Sequence, residues 1–327
     1  MRKICVALAA LLASMSMVST ASLAADAFPS KPIRIVVPFK AGGGVDVSTR
    51  FLATAGEKYF GVPVIVENHT GGSGLIGAGD VANGPADGYT LLATTSGAYS
   101  AAPHIFKAPY DPVTAFVPVI SPGTTAMFLV AGPSAPAKDF KSFYEYAKAH
   151  PNTVTVGCAG LGDISGMQLA KAFKAMGLKV RVVPFNGASE TASNTLGGHV
   201  MYGNISDSTA KSHVLKGKLT PLFVFGGRVA QEPFEKVPSL ADLGYKNGDS
   251  AYYKLIAAPA KTPAPVVEKL REGFKKIIDD PAVRALFEKA GASVDAATND
   301  PNYLNALIKN DYETYGALIA ELGLSKK

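Results

Sequence analysis

Lys31-Pro32-Ile33-Arg34-Ile35-Val36-Val37-Pro38-Phe39 runs directly into Lys40-Ala41-Gly42-Gly43-Gly44, and Val45-Asp46-Val47-Ser48-Thr49-Arg50 follows. The first segment is a short β-branched run, which is typical of a buried parallel strand. The glycines form a turn, and the third segment opens a helix whose amino end Asp46 is predicted to cap. A strand, a glycine turn and a helix in this order indicate the βαβ units of a doubly wound α/β sheet.

The same order recurs further along the chain. Strands are predicted at residues 62–67 and 89–93, and the polar turn Thr94-Thr95-Ser96-Gly97 closes the second of them. A strand at residues 154–156 leads into a second glycine turn, residues 157–163, and then into a helix of about residues 164–176. Residues 116–130 read as strand disturbed by two prolines, and we expect this segment to cross from one lobe to another.

The length of the chain predicts two domains. About 300 residues remain without the leader described below, and this is more than one compact core usually holds. We predict a first lobe from residues 26–124 plus 251–327 and a second lobe from residues 125–250. Asp139 is predicted to cap a helix of residues 140–149, and Thr262 to cap the first helix of a helical C-terminal tail. Pro281 and Pro301 are predicted to start two further helices of that tail.

Residues 1–25 have the layout of a secretory signal peptide. Arg2 and Lys3 precede an apolar stretch rich in Ala and Leu, and small residues follow it up to Ala24 and Ala25. A membrane anchor is the alternative, but the apolar run is shorter than the roughly 20 residues that span a bilayer. We expect cleavage after Ala24 or Ala25 and export to the periplasm as a monomer. Cys5 precedes the apolar run, so it is not the acylated cysteine of a lipoprotein.

The composition argues against several functional classes. The formal net charge is +6, yet acidic residues are interleaved with the basic ones, unlike the dense basic stripe of nucleic-acid-binding proteins. Cys158 is the only cysteine after the leader, which excludes an internal disulfide. Five scattered histidines without a catalytic or zinc-binding motif predict no enzyme, no metal and no cofactor.

Two strand–glycine-turn–helix junctions, at residues 36–50 and 154–170, could bind an anion. The first amides of a helix lack partners within the helix, and the helix dipole favours negative charge beside them. Glycine lets a ligand approach such amides closely. One junction alone could be a simple connection, but two could face each other across a cleft at the carboxyl ends of the strands. Neither turn has the spacing of a nucleotide-binding motif, and Asp163 would repel a pyrophosphate.

Motifs across almost the whole chain beyond the leader resemble the TctC/Bug receptors, the periplasmic binding proteins of tripartite tricarboxylate transporters. Beyond the opening quoted above, they comprise Val66-Glu67-Asn68, Ala86-Asp87-Gly88-Tyr89-Thr90-Leu91-Leu92, Tyr110-Asp111-Pro112, Pro184-Phe185-Asn186-Gly187, Leu196-Gly197-Gly198-His199-Val200, Lys216-Gly217-Lys218-Leu219, Val237-Pro238-Ser239-Leu240 and residues 258–265. The resemblance implies a type II-like periplasmic-binding-protein fold. Each lobe would be a doubly wound mixed sheet flanked by helices, and the two lobes would close on a carboxylate that is then delivered to membrane permease subunits.

The resemblance also implies which residues line the site. They belong to the two glycine turns, the strand-end turn and one strand end of the second lobe: Lys40, Ala41, Gly42, Gly43, Gly44, Val45 and Asp46; Cys158, Gly160, Leu161, Gly162, Asp163, Ile164 and Ser165; Thr95 and Ser96; Asn204, Ser206 and Asp207.

The sequence departs from the family pattern in ways that leave the acid undetermined, a di- or tricarboxylate or an aromatic acid. Lys40 stands where an uncharged residue is usual, Cys158 where serine is common, and Asp163-Ile164 where small hydroxyl residues are frequent. Asp163 could receive an amine of the ligand or simply cap its helix. A receptor for a signalling sensor protein and a secreted enzyme on the same fold are the alternative functions.

Overall fold

A computed structural model describes residues 28–246, 252–290 and 300–325. In the part of the chain that it describes, ten strands form two sheets of five strands each. The strands are β1 Ile33–Val37, β2 Val64–Asn68, β3 Thr90–Thr95, β4 Phe116–Ile120, β5 Met127–Ala131, β6 Thr155–Cys158, β7 Arg181–Pro184, β8 Tyr202–Ser206, β9 Thr220–Phe225 and β10 Lys254–Pro259.

Both sheets are mixed. The first has the order β2-β1-β3-β10-β4, with β1, β2 and β3 parallel and β10 antiparallel to both of its neighbours. The second has the order β7-β6-β8-β5-β9, with β6, β7 and β8 parallel and β5 antiparallel to its neighbours. Parallel strands need crossover connections, and the helices that follow them provide these.

Helices cover both faces of each sheet. They are α1 Gly44–Thr54, α2 Gly56–Phe60, α3 Leu75–Ala82, α4 Gly97–Ser100, α5 Ala102–Ile105, α6 Phe140–Ala149, α7 Ile164–Met176, α8 Ala188–Leu196, α9 Asp207–Leu215, α10 Ala264–Asp279, α11 Pro281–Ala290 and α12 Pro301–Glu321. Each sheet therefore has two apolar cores, one on each face. The two-lobed α/β fold predicted from the sequence is confirmed.

The chain crosses between the lobes where the sequence predicts. The run of residues 116–130 divides into β4 of the first sheet and β5 of the second, and Pro122 lies in the segment between them. Thr124 in this crossing forms an isolated antiparallel bridge with Tyr253, just before β10. The first crossing therefore runs beside the residues that lead into β10.

Helix α12 packs against both lobes. Leu304 and Ile308 in its first half belong to a core of the first sheet. Tyr315 and Ile319 in its second half belong to a core of the second sheet. The helix therefore connects the two lobes through apolar contacts with both.

Most of the predicted helix starts are confirmed, and two are wrong. Asp139 caps α6 by accepting a hydrogen bond from the Ser142 amide at 3.0 Å, and α11 and α12 begin at the predicted prolines. The prediction of Thr262 as a cap is wrong, because α10 begins at Ala264 and its N-cap position is Pro263, which offers no side-chain acceptor. The second wrong prediction concerns Asp46 and is described with the site.

The predicted signal peptide, residues 1–25, and the predicted lobe boundary at residues 250 and 251 lie outside the described residues. Within the described ranges, none of the helices combines the length and apolar character that a bilayer span requires.

Candidate ligand-binding site

The first glycine turn is held in shape by a carboxylate, although not in the way that the sequence suggested. Asp46 is not the N-cap of α1. That position is Gly43, which makes no side-chain capping bond. Asp46 lies in the first helical turn and reaches back to accept the Gly42 amide at 2.9 Å. Gly42 has a φ of +79°, which favours glycine.

Two further donors complete the surroundings of the Asp46 carboxylate. Arg50 Nε contacts both of its oxygens at 3.0 Å, and Asn68 Nδ2 donates to Oδ1 at 3.0 Å. Burial alone would raise the pKa of Asp46, but the hydrogen bonds from Arg50, Gly42 and Asn68 outweigh it and hold the pKa below its ordinary value. The Asp46 side chain is therefore ionised, and it stabilises the turn by accepting hydrogen bonds on both of its oxygens.

The second glycine turn is fastened by Asp163, which caps α7. Its Oδ1 accepts hydrogen bonds from the Ser165 amide at 2.9 Å and from Ser165 Oγ at 2.6 Å. Its Oδ2 accepts one from Thr95 Oγ1 of the other lobe at 2.9 Å. The side chain is fully buried, and burial raises its pKa against the opposing effect of these hydrogen bonds. Of the two roles considered for Asp163, the structure has it in the capping role.

The two lobes meet across the cleft at these turns. The Lys40 amide donates to the Asn186 carbonyl at 2.8 Å, and Lys40 Nζ lies 3.4 Å from Glu190 Oε1. On the other side of the cleft the Gly162 amide donates to Ser73 Oγ at 3.2 Å. Together with the bond between Thr95 and Asp163, these contacts define a closed arrangement of the lobes.

Glycine is required at the points of closest approach. A Cβ at Gly44 would lie 2.7 Å from Ser206 Oγ in the second lobe. A Cβ at Gly162 would lie 2.6 Å from Ala102 Cα in the first lobe, closer than any ordinary carbon contact. These glycines allow the amino end of α1 to approach serine side chains of the second lobe and the turn before α7 to approach the Ala102 backbone of the first lobe.

Several of the other predicted site residues have their side chains in the protein cores. Val45, Cys158 and Ile164 belong to the apolar cores of their lobes, so only their backbone can face a ligand. Burial raises the pKa of the Cys158 thiol to about 12, which makes it a core side chain and not a nucleophile. Among the residues around them, Lys40, Ala41 and Gly42 are exposed at the mouth of the cleft.

The second-lobe residues predicted for the site lie at the end of β8 and the start of α9. Asn204 Nδ2 donates to the Ser165 carbonyl at 2.9 Å, while its buried Oδ1 has no hydrogen-bond partner among the described residues. Ser206 Oγ lies 2.9 Å from Thr209 Oγ1. Asp207 accepts the amides of Ser208 at 2.6 Å and Ala126 at 3.2 Å. Burial raises its pKa to about 6, although the charge of Lys254 opposes this.

The sequence reasoning missed three contributors to this region, namely Ser73, Thr125 and Lys254. Ser73 lies among the glycines of residues 71–74, and its φ of +55° shows how tightly that segment turns. The Oγ1 atoms of Thr94 and Thr125 and the Oγ of Ser96 are buried without a partner among the described residues. One signal was available for Lys254: it is a single charged residue within the otherwise apolar run of residues 252–258.

Comparison with known proteins agrees with this geometry. Residues 48–324 match the model of the "Tripartite tricarboxylate transporter family receptor". The chain belongs to this receptor family. A family relative in Cupriavidus necator, the UPF0065 protein in the gbd 5' region, is 32% identical over 308 residues, covering 92% of this chain and 90% of that protein.

Solved structures of family members have the same fold as this receptor. The periplasmic binding protein BugD is similar with a TM-score of 0.86 and 29% identity, covering 92% of this chain and 100% of that chain. MatC from Rhodopseudomonas palustris, solved with bound malate, is similar with a TM-score of 0.82 and 26% identity, covering 89% of this chain and 100% of that chain. The resemblance to the TctC/Bug receptors inferred from the sequence motifs is confirmed.

Proposed function

We propose that this receptor holds a small carboxylate between its two lobes in the periplasm and delivers it to the membrane permease of a tripartite tricarboxylate transporter. Binding shifts an equilibrium between open and closed arrangements toward the closed one, and no covalent bond is made or broken.

The observation that carries this proposal is that two helix amino ends, one from each lobe, both lie at the interface between the lobes. Helices α1 and α7 begin at Gly44 and Ile164, each directly after a glycine turn, and the turns belong to opposite lobes. Amides at a helix amino end, aided by the helix dipole, bind a carboxylate without a positively charged side chain. We call this arrangement, in which amides from both lobes hold one carboxylate, the carboxylate clamp. It also agrees with malate as the ligand of MatC.

The predicted site residues contribute in three ways. In the two turns, the amides of Ala41, Gly44, Val45 and Leu161 are proposed to hold the ligand, because those of Lys40, Gly42, Gly43, Gly162 and Asp163 already donate within the protein. Thr95, Ser96, Asn204 and Ser206 offer side-chain oxygens or amides. Asp46, Asp163 and Ser165 fix the shapes of the turns through the hydrogen bonds described above.

The family and the leader support the proposed location and partner. The family model describes receptors of a transporter, and BugD is a periplasmic binding protein. Residues 1–25 carry the features of an export signal. The lobes are assigned as residues 26–124 plus 251–327 and residues 125–250, and a monomer suffices because the site lies within one chain.

A thermal-shift screen tests the proposal. The panel contains di- and tricarboxylates, aromatic acids and amino acids, with neutral sugars as the comparison. A ligand that binds only the folded state raises the melting temperature by mass action. We expect at least one carboxylate to raise it and no sugar to do so. Stabilisation by neutral solutes alone would contradict the clamp, and turnover of a carboxylate would favour the enzyme alternative.

A further inference from the structure

Lys254 is a charged residue inside the molecule. It is only 3% exposed and is the first residue of β10. It pairs directly with Thr95 of the antiparallel strand β3, so the two side chains lie on the same face of the sheet. Thr95 in turn bonds to Asp163 across the cleft. The side chain of Lys254 therefore lies at the inner end of the cleft, beside the junction of the lobes.

The ammonium group of Lys254 has no partner among the described residues. Within residues 28–246, 252–290 and 300–325 it makes neither a hydrogen bond nor an ion pair. Burial lowers the pKa of Lys254, and the charge of Asp207 counteracts this at a distance. A buried charge without a partner is costly, and such groups are concentrated at functional sites.

Asp207 acts on the ammonium through its charge but forms no ion pair with it within 4.0 Å. Oδ1 accepts the Ser208 amide and Oδ2 accepts the Ala126 amide. A cavity of about 390 Å³ borders on Asp207, Thr125 and Tyr252. This volume is in the range of sites for small ligands. Tyr252 is two residues before Lys254, so this space opens beside the same end of β10.

We propose that Lys254 binds a second anionic group of the ligand, which makes the receptor selective for dicarboxylates over monocarboxylates. One carboxylate lies at the amides of the glycine turns, and the other accepts a charge-assisted hydrogen bond from the Lys254 ammonium. This inference rests on the proposed function, because it adds a second anchor to the same cleft.

Paired acids of equal chain length test the inference. Dissociation constants are measured by calorimetry for succinate against butyrate and for adipate against hexanoate, with wild type, Lys254→Met and Lys254→Gln. We expect wild type to bind one of the diacids at least tenfold more tightly than its monoacid partner. We expect both variants to bind that diacid at least tenfold more weakly than wild type does. Their affinity for the monoacid should stay within about twofold of the wild-type value.

A matched control separates local from general effects of charge. Lys276→Met removes one exposed positive charge from α10 and should leave the ratio of diacid to monoacid affinity unchanged. If Lys254 only balanced the charge of Asp207, its replacement would weaken the binding of diacid and monoacid equally. That result would overturn the inference. An unchanged ratio in both variants would overturn it as well.

The outcome also distinguishes this inference from the function on which it rests. If wild type binds carboxylates but does not prefer diacids, the second anchor is wrong and the carboxylate receptor stands. If wild type binds none of the acids in the thermal-shift panel, the proposed function itself fails, and the second anchor fails with it.

Discussion

Replacing Gly162 by alanine should hold the lobes apart. In the closed arrangement a Cβ at Gly162 would lie 2.6 Å from Ala102 Cα and 2.8 Å from Ala102 Cβ. Ordinary carbon contacts begin near ~3.5 Å, so relief requires a local separation of about 1 Å. The nearest atoms all belong to Ala102 in the other lobe, and φ at Gly162 is outside the left-handed region. The substitution is therefore tolerated within its own lobe.

The cost of this separation can be worked from the contacts that it breaks. Three hydrogen bonds join the lobes near the turns: Lys40 to Asn186, Gly162 to Ser73 and Thr95 to Asp163. Each contributes about 0.5–1.5 kcal/mol, so their loss costs the closed form roughly 1.5–4.5 kcal/mol. At about 1.4 kcal/mol per factor of ten, Gly162→Ala should weaken ligand binding roughly 10- to 1,000-fold.

Calorimetry and small-angle X-ray scattering measure this effect. We expect Gly162→Ala to keep its circular dichroism spectrum, to bind more weakly and to show less compaction on adding ligand. Gly227→Ala is the matched comparison, because φ at Gly227 is outside the left-handed region and its Cβ would meet nothing within 4 Å. It should lose much less affinity. Wild-type affinity and compaction in Gly162→Ala would refute the closure geometry.

Three further predictions concern single side chains. Lys40→Met removes the ion pair with Glu190 across the cleft mouth. Because exposed ion pairs contribute at most about 1 kcal/mol, we expect ligand affinity to fall by less than about fivefold. The affinity of this variant should also depend less on salt concentration than that of wild type. The pKa of Asp46 is lower folded than unfolded, so its contribution to stability is present above its ordinary pKa and lost as the pH falls. In urea unfolding, Asp46→Asn should lose most free energy of unfolding, relative to wild type, at neutral pH and progressively less toward pH ~3. An equal loss at every pH would contradict the conclusion that an ionised Asp46 stabilises the turn. Cys158 should resist alkylation by iodoacetamide at pH ~8 in the native protein and react once unfolded, and rapid native alkylation would argue against its burial.

The sequence was sufficient to predict the two-sheet architecture because its local signals agree with one another. The β-branched run of β1, the glycines after it and the amphipathic α10 each favour one element, and the order of elements leaves few topologies. The crossing between lobes was visible as prolines interrupting a long strand-like segment. These features depend on neighbours in the chain and can be read without a structure.

The contacts within the site depend on residues far apart in the chain, and the sequence gives no direct sign of them. Asp46 looked like a cap because it stands near a helix start, yet Asn68 and the Gly42 amide draw its carboxylate back toward the turn. Asp163 could have faced a ligand, but its Oδ1 accepts hydrogen bonds from Ser165 and its Oδ2 accepts one from Thr95 of the other lobe. The position of Lys254 beside the cleft depends on the register of β10 against β3, which places it opposite Thr95. The sequence alone does not show this register.

A crystal structure of the receptor with the acid that gives the largest thermal shift tests the central claim most directly. The account predicts lobes closed on the ligand, with a carboxylate oxygen within hydrogen-bonding distance, about 3 Å, of amide nitrogens at the amino end of α1. A ligand bound outside the cleft, or one whose carboxylates point away from the amino ends of both α1 and α7, would contradict it.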